Sequence, residues 1–362
     1  MPPLKSFIAW PGAPLAIASA ALFGASTPLA KGLLGQGVSP WLLAGLLYLG
    51  SGLGLAALRY GGKALGRGSG EAPLAGRDWG WMALVVISGG VAGPVLLMAG
   101  LSTTSAASAA LLLNVEGLAT MAIAWLAFRE NVDRRLLLGA AAILAGAVLL
   151  SWQGGAAAGR LGVGALFIAG ACLAWGVDNN LTRKISASDP VQIAMVKGLA
   201  AGAVNLTLAV VAGQHLPSGL LTAGAGVVGF FGYGVSLVLF VLALRFLGTA
   251  RTGAYFSTAP FIGAALAVAM FGEPVTWRLA TAALLMAAGL YLHLVERHEH
   301  EHIHEPLEHE HPHVHDAHHQ HAHAAGVPPG EPHTHRHRHA RLVHAHPHYP
   351  DLHHRHDHGS SH

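Results

Sequence analysis

Charge is scarce in this chain. Only 11% of its 362 residues are Asp, Glu, Lys or Arg, while 52% are hydrophobic. Soluble domains carry about 25% charged residues, so a water-exposed globular surface is excluded and a membrane is implied. Cysteine is nearly absent: Cys172 stands alone inside an apolar run, which excludes a disulfide framework. The alternating pattern of a membrane barrel is missing too. GAAAILAGAVLL, residues 139–150, is apolar at consecutive positions, where a barrel strand would alternate polar and apolar. No motif groups a nucleophile, a base and an oxyanion donor, so no enzyme and no catalytic residue is expected, and no nucleic-acid partner.

What the chain does have is apolar blocks. They fall near 15–34, 41–59, 79–99, 104–128, 136–152, 162–182, 191–212, 224–246, 250–271 and 276–295. Each is long enough as a helix to cross about 30 Å of hydrocarbon. In lipid a helix satisfies its own backbone donors and acceptors, so the blocks are expected to be helical. The 47 glycines, with pairs such as Gly198/Gly202, suit close helix packing. Lys5 before an apolar run imitates a secretory leader, but nine further spans follow, and the first block reads as an uncleaved helix. With the N-terminus in the cytoplasm, twelve basic residues fall inside: Lys5, Arg59, Lys63, Arg67, Arg77, Arg129, Arg134, Arg135, Arg183, Lys184, Arg245 and Arg251. Three fall outside: Lys31, Arg160 and Arg278. This bias predicts cytoplasmic N- and C-termini in the cell inner membrane.

The chain also repeats. WLAFRENVDRRLLLGAAAILAGAVLL (125–150) aligns with VAMFGEPVTWRLATAALLMAAGLYLH (268–293) at an offset of 143. Phe128, Glu130, Val132, Arg135, Leu136 and Gly146 meet Phe271, Glu273, Val275, Arg278, Leu279 and Gly289. Upstream, FGASTPLAK (23–31) aligns with WGVDNNLTR (175–183), Gly24 on Gly176. Five spans per half is odd, so the second half enters from the opposite face, as in transporters built on inverted repeats.

Two five-helix units, each opening on FG or WG and closing with F-x-E-x-V and a glycine-bearing last helix, resemble the EamA-type drug/metabolite transporter superfamily. Ala243-Leu244 followed by GTARTGAYFSTAP (248–260) resembles it as well. The resemblance implies an all-α integral membrane protein of ten helices: a first EamA-like repeat over 12–152, a second over 161–295, and export of small solutes. It also implies a central cavity lined by the first four helices of each repeat. Pro260 sits where the family has a proline; its counterpart at the 143 offset is Gly117, and Glu116 faces Ala259.

Charges near the bilayer centre cost about 2.5–3.5 kcal/mol each on insertion scales, so they usually face a cavity or a partner. Three stand out. Glu116 is either a proton carrier or cation ligand, or a structural partner for Lys197. Asp178, in VDNNLTRK with Asn179 and Asn180, is either an oxygen ligand for a cation or amine or a helix-end residue near Arg183 and Lys184. Lys197 is either a permanent ion-pair partner or a charge displaced from Asp178 or Glu116 by substrate. Asn114, Thr120, Ser26, Thr27, Ser257 and Thr258 complete the candidate substrate or proton site. Glu130 and Glu273 read as structural, in a loop ion pair or a helix-end hydrogen bond.

Beyond residue 293 the composition changes. Of 26 histidines, all but His215 lie in 293–362, and the tail has no lysine. Over 296–362 it lacks the apolar residues for a core and is expected to be disordered and cytoplasmic. The alternating sets His298, His300, His302, His304; His309, His311, His313, His315; and His333, His335, His337, His339 are candidate ligands for Zn, Ni, Co or Cu. No cofactor is required. The preferred function is an inner-membrane exporter of a divalent transition metal (Ni, Co or Zn) in exchange for protons. A second reading is export of an amino acid or similar metabolite, the tail being a metal buffer or sensor. A third is a non-transporting metal-storage or sensing protein. A homodimer is compatible with each.

Overall fold

The computed structural model describes residues 12–64, 73–128, 134–152, 162–185, 188–240, 242–243, 252 and 255–294, and the backbone of four short strands farther on. Glu130 and most of GTARTGAYFSTAP before Tyr255 lie outside the described residues.

Helices α1 (Gly12–Gly35) and α2 (Pro40–Ala64) form the first hairpin. Gly37, at φ 85°, makes the turn between them. A third stretch runs through α3 (Trp79–Val85), a π-helical turn Val86–Ala92, and α4 (Gly93–Thr103). A fourth holds α5 (Ala106–Leu112) and α6 (Val115–Phe128), followed by α7 (Arg134–Ser151). The second half runs α8 (Val163–Ile185), α9 (Pro190–Val211), α10 (Gly219–Gly229) with a π-helical turn Phe230–Val235, α11 (Ala259–Phe271) and α12 (Trp277–Leu294). Among the described residues seven stretches are long and apolar enough to cross a membrane: Gly12–Gly35, Pro40–Lys63, Gly76–Thr103, Ala106–Ile123, Arg134–Ser151, Pro190–Val211 and Gly219–Phe240. Helix α8 is long enough, but Asp178, Asn179, Asn180, Arg183 and Lys184 make its second half polar. Leu126, Leu220 and Leu284 are 74%, 84% and 72% exposed, an apolar exterior suited to lipid.

The two halves pack head to tail. A methyl group at Gly146 of α7 would lie 3.0 Å from Ala282 O of α12, and one at Gly289 of α12 would lie 2.5 Å from Gly139 O of α7. Residue numbers rise along one helix as they fall along the other, so the helices are antiparallel. Gly146/Gly289 and Gly139/Ala282 are also related by the offset of 143, so the contact is self-complementary. Helices α2 and α9 behave alike: Gly45 meets Leu206, Gly202 meets Leu49, and Gly198 meets Gly52. The pair Gly198/Gly202 is thus pressed onto α2, where no side chain fits. Where α1 crosses α11, Gly24 lies against Ala259 and Gly263; where α8 crosses α6, Gly176 lies against Ala119 and Thr120.

One expectation needs correction. The block 104–128 is not one helix. It breaks at Leu113–Asn114, where the Asn114 side chain donates back to Leu111 O at 2.8 Å, a local bond that competes with the helical ladder. The second half breaks at Ser257–Thr258, before Pro260. These breaks, like the starts of the π-helical turns at Val86 and Phe230, are 144 apart, so Glu116 is matched by Pro260 within a residue. Where the tail is described, β1 (Glu299–His304) pairs antiparallel with β4 (Leu342–Pro347), and β2 (Glu308–His313) with β3 (His333–Arg338). The His-x-His alternation has the two-residue period of a strand.

Candidate functional site

Glu116 lies in the first turn of α6, just past the break. A helix start leaves N–H groups pointing outward and favours negative charge, which accounts for a carboxylate tolerated in an apolar run. Asn179 of α8 donates to Glu116 Oε1 at 3.0 Å and to Thr120 Oγ1 at 3.1 Å. Thr120 is one turn along the same face of α6. Asn180 donates to Thr120 O at 3.1 Å and to Gly176 O at 2.8 Å. The asparagines therefore bind the first half to the second where Gly176 lets α8 approach α6.

Asp178 is buried and forms an ion pair with Lys197 of α9. The two side chains are 6% and 13% exposed. Thr182, one turn on, donates to the other Asp178 oxygen at 3.4 Å. The carboxyl group rests against Gly89, where any β-carbon would overlap it. Glu116 interacts electrostatically with both Asp178 and Lys197, so the three charges form one group.

Gly89 and Gly90 belong to the π-helical turn, and their carbonyls accept from side-chain donors. Tyr48 and Trp175 donate to Gly89 O at 2.8 and 3.0 Å, and Asn205 donates to Gly90 O at 3.1 Å. Asn205 is fully buried and its Oδ1 accepts nothing from the described residues. An aromatic wall continues from here: Tyr48 to Tyr233 at 5.4 Å between ring centroids, Tyr233 to Phe23 at 6.0 Å, and Phe23 to Phe256 at 5.4 Å.

Of the residues singled out from the sequence, Glu116, Thr120, Asp178, Asn179, Asn180 and Lys197 come together. Asn114 turns toward Met286 of α12, its Nδ2 3.8 Å from the sulfur. Ser26 donates to Phe23 O within α1 at 2.6 Å, and Thr27 is buried in the same helix. Ser257 and Thr258 form the second break, Thr258 donating to Tyr255 O at 2.6 Å. Tail histidines His300, His302, His304, His309, His311, His313, His333, His335 and His337 are placed only by backbone, and His298, His315 and His339 lie outside the described residues. Among the described residues no group of three or more His, Cys, Asp or Glu side chains is placed to hold a metal.

The Gly89/Gly90 carbonyls, Tyr48 and Trp175 are missing from the sequence reading. The one signal was a Gly-Gly step inside an apolar block. Two polar clasps near the helix ends also emerge. At one end Asp189 pairs with Arg59 and caps α9 through Val191 N (2.8 Å) and Gln192 N (3.2 Å). At the other, Glu273 accepts from Ala106 N (2.7 Å) and Ala107 N (3.0 Å), the opening of α5. Lys31 donates there to Leu101 O (2.6 Å) and Thr104 O (2.9 Å). Glu273 makes the helix-end bond, while Arg278 donates to Trp152 O at 3.3 Å.

The sequence matches the EamA-like transporter family over residues 10–152 and again over 162–295, nearly all of the helical region. The chain belongs to the EamA-like transporter family. It is therefore a multi-pass membrane protein of the transporter class. It is 29% identical over 232 residues to an uncharacterized transporter of Methanothermobacter thermautotrophicus, an alignment covering 62% of this chain and 67% of that one. A solved structure described only as a protein crystal structure superposes with a TM-score of 0.56 at 21% identity, over 78% of this chain and 95% of that chain. That likeness concerns the fold alone.

Proposed function

We propose that this EamA-like protein exports a small amine-bearing metabolite, an amino acid or a close relative, from the cytoplasm across the inner membrane by alternating access, with Glu116 carrying a proton. The ten apolar blocks, the antiparallel halves and the excess of basic residues on one side support ten spans with both termini in the cytoplasm. The observation that carries the reading is the buried Lys197–Asp178 pair beside Glu116, Asn179 and Thr120, assembled from both halves. An amine suits carboxylates that already hold an ammonium. A divalent metal is less suited, because Lys197 puts a positive charge on Asp178, so the metal-export reading has no support at this site.

The His-rich tail keeps a separate role as a metal buffer or sensor. The strand register supports it: His309 is opposite His337, His311 opposite His335, and His313 opposite His333. Imidazoles in such numbers take Zn, Ni, Co or Cu. The deciding measurement is flux. The purified full chain in liposomes, with an outward or inward pH gradient, is assayed with a panel of labelled amino acids and with Ni, Co and Zn ions. Gradient-dependent movement of an amino acid supports the reading; movement of a metal ion alone would reject it.

A further inference from the structure

We propose that the Lys197–Asp178 pair is a placeholder for a zwitterion: the substrate's ammonium replaces Lys197 on Asp178, and its carboxylate takes Lys197. This rests on the export reading above and narrows its substrate class to molecules carrying both groups.

The argument starts from charge. With its proton released, Glu116 joins Asp178 and Lys197 in a group of one net negative charge. Separating Lys197 from Asp178 in a buried place leaves two charges without partners, and such a loss is severe. An incoming amine compensates only Asp178 and leaves Lys197 stranded. An incoming carboxylate compensates only Lys197. A dication adds two positive charges to a group with one net negative charge, turning it net positive and leaving Lys197 without a partner. A zwitterion compensates both and leaves the net charge as it was, so it alone opens the pair with neither side orphaned.

The surroundings hold further polar and apolar partners for a ligand with both groups. Gly89 leaves no side chain over the Asp178 carboxyl. The Lys197 stem, Ala201 and the Tyr48 ring surround Gly90. Asn205, held by Gly90 O through its Nδ2, keeps a fully buried Oδ1 with no partner among the described residues. A buried acceptor of this kind is costly unless something donates to it, and a substrate ammonium is such a donor. Beyond it the Tyr48, Tyr233 and Phe23 rings offer an apolar wall for a substrate side chain.

The test uses the full chain purified in detergent. Ligand-induced thermal stabilisation is measured with the common L-amino acids, their decarboxylated amines and their deaminated acids, and hits are repeated as counterflow in liposomes. The expected result is at least one amino acid that binds tenfold or more tighter than both its amine and its acid. Lys197→Met should abolish the advantage over the amine, and Lys197→Arg should retain it. Because a single change strands a charge, the neutral double variant Lys197→Met/Asp178→Asn is included, and it should bind neither group selectively while remaining monodisperse. If the wild type takes an amine as well as the matching amino acid, or if Lys197→Met keeps the discrimination, the zwitterion assignment is wrong while amine export stands. If the wild type moves only solutes lacking an amine, both fall.

Discussion

Asp178 and Lys197 can be separated experimentally from their surroundings because neither alone is well placed. Removing one member of a buried pair typically costs about 3–5 kcal/mol, whereas removing both is often near neutral. Asp178→Asn is therefore expected to lower the temperature of aggregation in detergent markedly, and Asp178→Asn with Lys197→Met to recover most of it. Size-exclusion profiles after heating measure both, and equal stability of the single variant and wild type would contradict a buried pair. Glu116 offers a gentler change. Glu116→Gln keeps the oxygen that accepts from Asn179 and removes the titrating proton. Fold and ligand binding should survive, while acceleration of flux by a pH gradient should drop at least tenfold. Undiminished pH-driven flux would remove Glu116 from coupling. The oddity of these charges was legible from the run around each. Their pairing was not: 19 residues separate Asp178 from Lys197, and Lys197 had two acidic candidates.

At the level of helices, glycines decide where the halves touch. Gly146→Val puts methyl groups into Met286 and Ala282 O; overfilling such a contact typically costs about 1–3 kcal/mol. Gly61→Ala is the internal control, since nothing lies within 4 Å of that position and alanine favours a helix by up to about 1 kcal/mol. Thermal stability should fall for the first and hold or rise for the second; similar behaviour of both would mean α7 and α12 do not meet as described. Glu273→Ala removes both acceptors at the opening of α5, and loss of such a cap costs about 0.5–2 kcal/mol. The repeat alignment marked the pattern around Glu273 as repeated in the first half. It did not foresee that the carboxylate reaches across to the first half, because sequence periodicity describes a helix face and not the neighbour it finds.

For the whole molecule the expectation concerns sidedness and the tail. With the buried Cys172 as the native thiol, Ser6→Cys and Gln214→Cys are predicted to react with an impermeant maleimide from opposite faces, the former only in inverted vesicles. Reaction of both from one face would overturn the assigned topology. Truncation after residue 295 should leave flux unchanged and remove most Zn and Ni binding measured by calorimetry; flux lost with the tail would instead tie metal capture to transport.

Sequence alone determined that this chain lives in a membrane, because apolar length and scarce charge act through solvation and need no partner. It also determined the doubled architecture, because the two halves carry the same residues in register and each matches the family by itself. Tertiary structure decided the rest: that α6 begins at Val115, just before Glu116, that Tyr48, Trp175 and Asn205 reach the Gly89 and Gly90 carbonyls of the π-helical turn, and that Lys197 chooses Asp178. Those outcomes depend on which helices approach within a side-chain length, and that distance is set by glycines on two facing surfaces far apart in the chain.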